Sequence, residues 1–250
     1  MVSEIYTTIQ GECSFTGWPC VLIRLAGCPL RCRYCDTPHA LEGGEAIELP
    51  ALMETVKRSG IGLVEVTGGE PLAQEGARPL IRALLEEGYQ VLVETGGGVS
   101  IEGVDPRARI ILDVKTPDSG MQDRQDMANL ERLGPHDEIK FVLCSRADYE
   151  WARSFLRETG LAERRVVHFS PVEPHGGADK EAGIRDVKDT CCATSRATAD
   201  SGEREATASR QGAPGLSRKK LAEWILEDRL KVRLNLQMHV WIWGSGTRGV

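Results

Sequence analysis

Three cysteines in an eight-residue stretch, Cys28, Cys32 and Cys35, constrain this chain more than any other feature of its sequence. Thiolates are soft ligands that suit iron–sulfur clusters, zinc or copper(I), and the Cys-x-x-x-Cys-x-x-Cys spacing allows one short loop to surround a compact centre. A closed zinc site or a fully ligated cluster needs a fourth ligand, which the segment from Cys28 to Asp36 does not supply. We therefore expect a metal centre with one open coordination position. A zinc knot and three unrelated buried thiols are the alternatives.

Composition limits the class of protein and the kind of partner. The chain has 250 residues, 41% of them hydrophobic, which allows one large core with an insertion or two domains. A net charge of -6 argues against a nucleic-acid partner, because nucleic-acid-binding surfaces are usually basic. We find no long apolar run and no signal-peptide pattern, so we expect a cytoplasmic protein without a membrane partner. In that compartment, clustered cysteines are more often metal ligands or catalysts than disulfides.

Strand and helix patterns alternate along most of the chain. Short apolar runs, typical of buried strands, are separated by amphipathic stretches, typical of helices. The predicted strands are Cys20–Ala26, Leu63–Val66, Gln90–Val93, Ile110–Val114, Ile139–Leu143 and Val166–Phe169, and the predicted helices are Pro50–Ser59, Arg78–Glu87, Asp148–Glu158 and Arg218–Glu227. This order predicts an α/β fold with a parallel sheet, in which the chemistry gathers at the carboxyl ends of the strands.

Polar residues follow three of these strands. They begin at Thr67 with Gly-Gly-Glu-Pro, at Glu94 with Thr-Gly-Gly-Gly, and at Lys115 with Thr-Pro-Asp-Ser. Each could be a plain turn, but three in succession at strand ends indicate a ligand site. Arg24 interrupts an apolar strand and needs a partner, which is either an acidic side chain or the carboxylate of a ligand.

The composition changes sharply between Glu173 and Gly215, where the chain has no aromatic residue, Leu or Met. Such a segment buries too little apolar surface to offset its ordering entropy. We therefore predict a flexible low-complexity insertion at 173–215, within a core domain formed by 1–172 and 216–250. Cys191 and Cys192 lie in this insertion and lack the spacing of a second metal site.

After the insertion, Ser217 is a suitable N-cap for the predicted helix Arg218–Glu227. Val232–Met238 alternates polar and apolar residues, which predicts a half-buried strand. Trp241 and Trp243 could belong to the core or to a dimer contact. The remaining cysteines, Cys13, Cys20 and Cys144, are expected to be small buried apolar residues.

The cysteine loop, with Tyr34 before its third cysteine, resembles that of the radical S-adenosylmethionine (SAM) enzymes, in which the open iron of a 4Fe-4S cluster binds SAM. Gln10-Gly11-Glu12, Arg24, Cys28 to Thr37 and the ending Leu-Gln-Met-His-x-x-Ile-Trp-Gly are more specifically similar to the 7-carboxy-7-deazaguanine synthase family of the queuosine pathway. This resemblance covers nearly the whole chain except 173–215. It implies a partial, truncated (β/α) barrel and a carbon–nitrogen lyase that converts 6-carboxy-5,6,7,8-tetrahydropterin to 7-carboxy-7-deazaguanine with loss of ammonia.

The same resemblance implies roles for individual residues. Three cysteines, Cys28, Cys32 and Cys35, would hold the 4Fe-4S cluster, and the hydroxyl of Thr37 would bind Mg²⁺, a hard ion that prefers oxygen ligands. The implied substrate-binding residues are Ile9, Gln10, Gly11, Arg24, Thr67 and Val250. The implied SAM-binding residues are Tyr34, Cys35, Asp36, Gly69, Glu94, Thr116, Pro117, Asp118, Ser170, Pro171 and Val172.

The resemblance further implies a homodimer and an electron donor such as flavodoxin. Within the superfamily, the alternative is a glycyl-radical-enzyme activase, which shares the cysteine loop and the small size but acts on a protein. From a different class, the alternative is a zinc-stabilised binding module, because a thiolate-rich loop also suits zinc.

Overall fold

A single mostly parallel sheet organises the protein. The computed structural model describes residues 1–172, 215–244, 247 and 249. The strands, which lie side by side in chain order, are β1 (Val2–Ile9), β2 (Pro19–Leu25), β3 (Leu63–Gly68), β4 (Gln90–Thr95), β5 (Arg109–Val114), β6 (Glu138–Leu143), β7 (Val166–Pro171) and β8 (Arg233–Leu234). β1 runs antiparallel to β2, and each later neighbouring pair is parallel. The predicted α/β fold with parallel strands is confirmed.

Helices connect the parallel strands, and local sequence signals set their ends. The helices are α1 (Leu49–Ser59), α2 (Ala77–Glu86), α3 (Asn129–Arg132), α4 (Arg146–Thr159), α5 (Leu161–Arg164), α6 (Arg218–Asp228) and α7 (Met238–Trp243). Gly60 ends α1 with φ 70°, a left-handed conformation that glycine adopts without strain. Ser145 and Ser217 cap α4 and α6, because each side chain accepts a hydrogen bond from the backbone N–H three residues later. The four predicted helices are confirmed with small shifts of their ends.

The two faces of the sheet differ in chemistry. Alternate residues of a strand point to opposite faces, so one strand contributes to both. The outer face, with residues such as Val64 and Phe141, packs with apolar residues of α1, α2, α4 and α6 in the main hydrophobic core. The inner face carries polar and charged residues of the same strands, including Glu65 and Lys140. Helices therefore cover the outer face, and the polar inner face is available to form a ligand site.

A small apolar cluster closes part of the inner face. It contains Cys13, Cys20, Leu63, Leu92 and Ile111, which are all buried. The prediction that Cys13, Cys20 and Cys144 are buried is confirmed, and none of the three forms a disulfide. Burial raises the pKa of each of these thiols. They are therefore packing residues with little nucleophilic character.

The sequence patterns misjudged both ends of the chain. β1 was not predicted, and it extends the sheet as an antiparallel edge strand. The predicted strand Val232–Met238 is wrong in its length, because β8 contains only Arg233–Leu234 and its last bond to β7 is that from the N–H of Asn235 to the carbonyl of Phe169 at 2.9 Å. The carbonyl of Asn235 accepts a hydrogen bond from the hydroxyl of Ser170 at 3.0 Å. The chain then enters α7, where Trp241 is 59% exposed and not part of the core.

Several predictions fall outside the described residues. The insertion predicted at 173–215, including Cys191 and Cys192, lies there except for Gly215, and so does Val250. Among the residues that the structure describes, no helix is long and apolar enough to cross a membrane.

Candidate active site

A cavity of about 740 Å³ lies on the inner face, at the carboxyl ends of the strands. Parallel α/β sheets generally place their chemistry at this edge. Most residues with a predicted role line this one cavity: Ile9, Gln10, Gly11, Arg24, Cys28, Cys32, Tyr34, Cys35, Asp36, Thr37, Thr67, Gly69, Glu94, Ser170, Pro171 and Val172. Tertiary structure thus brings together residues that are as much as 163 positions apart in sequence, from Ile9 to Val172.

The cysteine loop follows β2 and is held by backbone hydrogen bonds. The N–H of Cys35 donates to the carbonyl of Cys32 at 3.2 Å, and the N–H of Arg33 donates to the carbonyl of Ser119 at 3.1 Å. Gly69 lies against this loop, and a Cβ at its position would come within 2.8 Å of the Cβ of Cys28 and 2.6 Å of the carbonyl oxygen of Gly27. Only glycine therefore allows the strand end and the loop to approach this closely.

The three loop cysteines fit a multi-iron cluster better than a single zinc ion. None of the three forms a disulfide, and all line the cavity and remain partly accessible. Burial raises the pKa of Cys28 and Cys32, and the nearby ammonium of Lys115 partly opposes this rise. Within the described part of the chain, no three His, Cys, Asp or Glu side chains are grouped to hold one metal ion. Three separated thiols without a fourth ligand match the donor set of a 4Fe-4S cluster with an open iron.

Arg24 has the acidic partner that its place in an apolar strand called for, and it also lines the cavity. Its Nε is 3.1 Å from Oε2 of Glu4, which also lies 3.1 Å from Nε2 of His39. All three side chains line the cavity, together with Tyr6. A charged guanidinium at a cavity wall can also bind an anionic ligand, so the internal ion pair fixes Arg24 in place.

The second polar strand end is joined to the first by Glu70, which is fully buried. Its carboxylate accepts hydrogen bonds from the backbone N–H of Leu72 at 3.1 Å, the hydroxyl of Thr95 at 2.7 Å and the N–H of Gly96 at 2.9 Å. Burial raises the pKa of Glu70, and these three donors oppose the rise. Glu70 thus has a structural role, because it fixes the ends of β3 and β4 next to the cysteine loop.

The third polar strand end behaves differently from the other two. Thr116 is fully buried and its hydroxyl donates to the carbonyl of Val142 at 3.1 Å. Asp118 accepts a hydrogen bond from the hydroxyl of Ser145 at 2.5 Å. Neither residue lines the cavity, and neither does Pro117, whereas the preceding Lys115 does. The structure therefore separates the predicted SAM residues 116–118 from the others.

A network of charged side chains on the cavity floor was not predicted from the sequence. Lys140 donates to both Glu12 and Glu94. Burial would lower the pKa of Lys140, but Glu12 and Glu94 raise it well above its ordinary value. Burial would likewise raise the pKa of Glu12, but Lys140 outweighs this effect and lowers it to about 2. A charged residue in an otherwise apolar strand, as at Glu65 and Lys140, was the available signal.

The start of α7 closes one side of the cavity. Nε2 of Gln237 donates to Oε1 of Glu12 at 2.8 Å and to Oδ2 of Asp36 at 3.2 Å, so it joins the carboxyl-terminal segment to the cysteine loop. His239 lies against Gly11, where a Cβ would come within 2.8 Å of its Nδ1. The glycine of the Gln-Gly-Glu segment therefore allows His239 to pack against it without a shift of the imidazole ring.

Comparison with known proteins identifies the family. The model of the radical SAM superfamily matches residues 22–132. The chain is 40% identical to the 7-carboxy-7-deazaguanine synthase of Koribacter versatilis, over 100% of this chain and 99% of the relative. It is 38% identical to the enzyme of the same name from Chlorobaculum tepidum, over 100% of this chain and 96% of the relative.

Solved structures agree with this assignment. The crystal structure of QueE from Escherichia coli is similar with a TM-score of 0.58 and 28% identity, over 68% of this chain and 82% of that chain. SuiB from Streptococcus suis, at 13% identity and a TM-score of 0.55 over 86% of this chain and 47% of that chain, shares the fold alone. The fit of three cavity thiols to an open 4Fe-4S cluster agrees with these relatives, and the chain therefore belongs to the 7-carboxy-7-deazaguanine synthases, lyases of the radical SAM superfamily.

Proposed function

We propose that the protein converts 6-carboxy-5,6,7,8-tetrahydropterin to 7-carboxy-7-deazaguanine with loss of ammonia, as a step of queuosine and 7-deazapurine biosynthesis. One observation carries this proposal: the cluster-type cysteine loop, the guanidinium of Arg24 and the polar Gln10–Glu12 segment line the same cavity. The substrate is an anionic bicyclic ring, so it needs polar contacts at its edges and a cation for its carboxylate. This cavity offers both next to the three thiols.

The cofactor side of the cavity would be formed by the cysteine loop and the strand ends. Cys28, Cys32 and Cys35 would hold the 4Fe-4S cluster. When bound, SAM and the reduced cluster would supply the radical chemistry that starts the reaction. The residues that would contact SAM are Tyr34, Cys35, Asp36, Gly69, Glu94, Ser170, Pro171 and Val172, which all line the cavity.

Residues 116–118 would act on SAM through Tyr34. The hydroxyl of Tyr34 lies 3.5 Å from Oγ1 of Thr116 and donates to the carbonyl of Val142 at 3.3 Å. Thr116, which is buried, in turn directly precedes the single helical turn Pro117–Ser119. This turn would therefore fix the ring of Tyr34 beside the cofactor.

The substrate side of the cavity would be formed by β1, β2 and β3. Gln10 and Gly11, together with Ile9 and Thr67, would bind the edges of the ring, and Arg24 its carboxylate. The proposal also includes the terminal carboxylate of Val250. The protein's part is to position the ring and to exclude water, since the difficult chemistry belongs to the cofactor.

Thr37 would be the protein ligand of Mg²⁺. Its hydroxyl lies 3.9 Å from Sγ of Cys35, so an ion held there would adjoin both the cluster and the substrate carboxylate. We expect Thr37→Ala to weaken the stimulation of activity by Mg²⁺ while the iron content stays normal. Thr55→Ala, which removes an exposed hydroxyl that donates to the carbonyl of Ala51, is the matched control. Equal Mg²⁺ dependence of the Thr37→Ala and wild-type proteins would remove Thr37 from the ligand set.

Three further parts of the proposal rest on the family resemblance alone, because none of the contacts described above bears on them. These are a homodimer, a cytoplasmic location and an electron donor such as flavodoxin. A net charge of -6 agrees with a small-molecule substrate and not with a nucleic-acid partner.

Anaerobic turnover tests the proposed function directly. The full chain is reconstituted with iron and sulfide, reduced, and incubated with SAM, Mg²⁺ and the carboxytetrahydropterin. We expect a product with the mass of 7-carboxy-7-deazaguanine and one equivalent of ammonia. No turnover by protein with an intact cluster would favour the glycyl-radical-enzyme activase instead, and zinc without acid-labile sulfide would favour a zinc-stabilised module.

A further inference from the structure

Glu65 is a buried carboxyl group on the cavity floor for which the proposed cofactor and substrate contacts give no role. It lies in the middle of β3 on the inner face and is only 5% exposed, yet it lines the cavity. Nε2 of Gln10 donates to Oε2 of Glu65 at 2.7 Å. Glu65 pairs in register with Leu92 of β4, so Glu94, two residues further along β4, lies on the same face, and both side chains line the cavity. Two carboxyl groups so close on a buried face favour a proton on one of them.

The surrounding charges decide which carboxyl group holds this proton. Lys140, from β6, donates to Glu94 and to Glu12, so these two groups share its positive charge. Burial first, and then the carboxylate of Glu94, raise the pKa of Glu65 well above its ordinary value.

Two further groups face Glu65 from the other side. Arg24 on β2 partly opposes the rise of the Glu65 pKa, but its Nε is already paired with Glu4 at 3.1 Å. Tyr6 faces it from β1, and burial raises the pKa of that phenol, so it stays neutral. Burial and the neighbouring Glu94 therefore favour the protonated form of Glu65, because both raise its pKa.

The proposed reaction needs a proton donor of this kind. When the carbon–nitrogen bond breaks, the electron pair stays on nitrogen, which must gain one proton to leave as ammonia. The five-membered ring must then lose one proton from carbon to form its double bond. These two transfers cancel, so no oxidant or reductant is consumed in this step. One residue that gives a proton and then takes one back is sufficient.

We propose that Glu65 is an acid–base residue of this reaction, which gives the proton to the departing nitrogen and takes the ring proton back, with Glu94 sharing that proton between the two transfers. The inference rests on the proposed function. The geometry that supports it is the position of Glu65 on the cavity floor, next to the donor Nε2 of Gln10 and on the same face as Glu94 of the neighbouring strand.

Other buried carboxyl groups of the described chain are less suited to this role. Glu138 is ion-paired with Arg109 at 2.9 Å and hydrogen-bonded to His168 at 2.6 Å, and it does not line the cavity. Asp113 is paired with Lys115 at 2.6 Å. Glu70 already accepts three hydrogen bonds from Leu72, Thr95 and Gly96. Each of these three groups is engaged by donors that favour its ionised form.

The test replaces Glu65 with glutamine, which keeps an acceptor for Gln10 but holds no transferable proton. Substrate deuterated at C6 separates the radical step from the later steps, because deuterium then enters 5'-deoxyadenosine and SAM. We expect Glu65→Gln to retain this deuterium transfer and its KM, while kcat for ammonia release falls about 100-fold or more, as is typical when a general acid is lost. Glu65→Asp, which keeps a titratable group, should recover part of the loss.

Infrared spectroscopy gives a readout that does not depend on activity. The wild-type minus Glu65→Gln difference spectrum at neutral pH should contain the C=O stretch of a protonated carboxyl group. Glu138→Gln is the matched control, since Glu138 lies on the same face of the sheet but is ionised. Its difference spectrum should show a carboxylate band only.

The outcomes separate this inference from the proposed function. Wild-type kcat in Glu65→Gln, or no protonated-carboxyl band lost on substitution, would overturn the role of Glu65 and leave the lyase activity standing. If the wild-type protein transfers no deuterium from the pterin to 5'-deoxyadenosine or SAM, the proposed function is overturned, and the acid–base role of Glu65 with it. If Glu65→Gln does not fold, Glu65→Asp must show the same division between deuterium transfer and ammonia release, and equal loss of both would contradict the proposal.

Discussion

The outer and inner faces of the sheet use alternate residues of the same strands for opposite purposes. On β6, Phe141 points outward and contacts Phe169 edge to face with ring centroids 5.5 Å apart. Its neighbour Lys140 points inward to two carboxylates. The outer face is buried by helices and contributes to folding through apolar contact. The inner face buries charges, which stabilise a fold only weakly but create a reactive site.

The free energy gained by apolar packing on the outer face offsets the cost of burying charged groups on the inner face. Buried ionic groups cost free energy unless they are paired and hydrogen-bonded. The aromatic residues packed behind β6 and β7 contribute free energy through burial and edge contacts. The cavity floor can therefore keep Glu12, Glu65, Glu94 and Lys140 together without loss of the fold. Four predictions, in order of decreasing effect, test this division.

The largest effect is expected at the cavity wall, where Cys35→Ala removes one of the three proposed cluster ligands. We expect the variant to lose the iron–sulfur absorption and all lyase activity. Because Cys35 is partly exposed, its free energy of unfolding should change by no more than about 0.5 kcal/mol. Absorption spectra, iron analysis and denaturant titration of the protein without metal measure these quantities. A variant with a full cluster and normal activity would contradict the assignment of the inner face.

On the outer face, Phe141→Ala should have the opposite signature. Phe141 is fully buried and its ring contacts those of Trp151, Phe155 and Phe169. Removing it should lower the free energy of unfolding by about 3 to 5 kcal/mol, through lost apolar contact and an unfilled cavity. Denaturant titration measures this loss. The control is Val142→Ala, on the inner face of the same strand, which should cost about 1 kcal/mol or less.

The pH dependence of stability tests Glu138, a buried carboxylate on the inner face that does not line the cavity. Burial would raise the pKa of Glu138, but hydrogen bonds from His168, Arg109 and the N–H of Ser14 outweigh it and lower this pKa to about 2. A lowered pKa stabilises the folded state above the unfolded-state pKa, and this stability is lost as the pH falls toward 2. We expect a loss of about 2 to 3 kcal/mol between about pH 5 and pH 2.

Urea titrations at several pH values measure this loss, with Glu138→Gln as the comparison. The variant should be less stable than the wild type at neutral pH, because its buried neighbours lose a charged partner. Its stability should depend less on pH in this range. Parallel curves for the two proteins would show that Glu138 is not the group responsible.

The smallest effect is expected for Arg24→Ala, which removes the proposed partner of the substrate carboxylate. Binding of the pterin should weaken by about 1.5 to 3 kcal/mol, the range for one charge-assisted hydrogen bond. Anaerobic titration of the protein with the pterin measures the affinity. Arg107→Ala, which removes an exposed arginine paired with Asp105, is the control and should bind normally. If Arg24→Ala binds the pterin with unchanged affinity, Arg24 does not bind the substrate carboxylate, and its ion pair with Glu4 is its remaining role.

The outer face and the identity of the family were predictable from sequence, because both depend on local pattern. Apolar runs predicted β2 to β7, an amphipathic pattern predicted α1, and Ser217 predicted the start of α6. The spacing of Cys28, Cys32 and Cys35 predicted a cluster with an open position, and the relatives confirm that class of enzyme.

Tertiary structure alone decided what stands on the inner face and how the chain ends. Lys140 joins Glu12 and Glu94, which lie 128 and 46 positions away in sequence, and no periodic pattern records such a meeting. The predicted strand Val232–Met238 is too long, because the N–H of Met238 donates to the carbonyl of Gly11 at 3.2 Å and α7 begins there. Local alternation cannot reveal such a long-range contact. Sequence therefore determined β2 to β7, the four predicted helices and the chemistry of the metal loop. The pairing of buried charges depends on long-range packing, so only the folded chain determined the cavity floor.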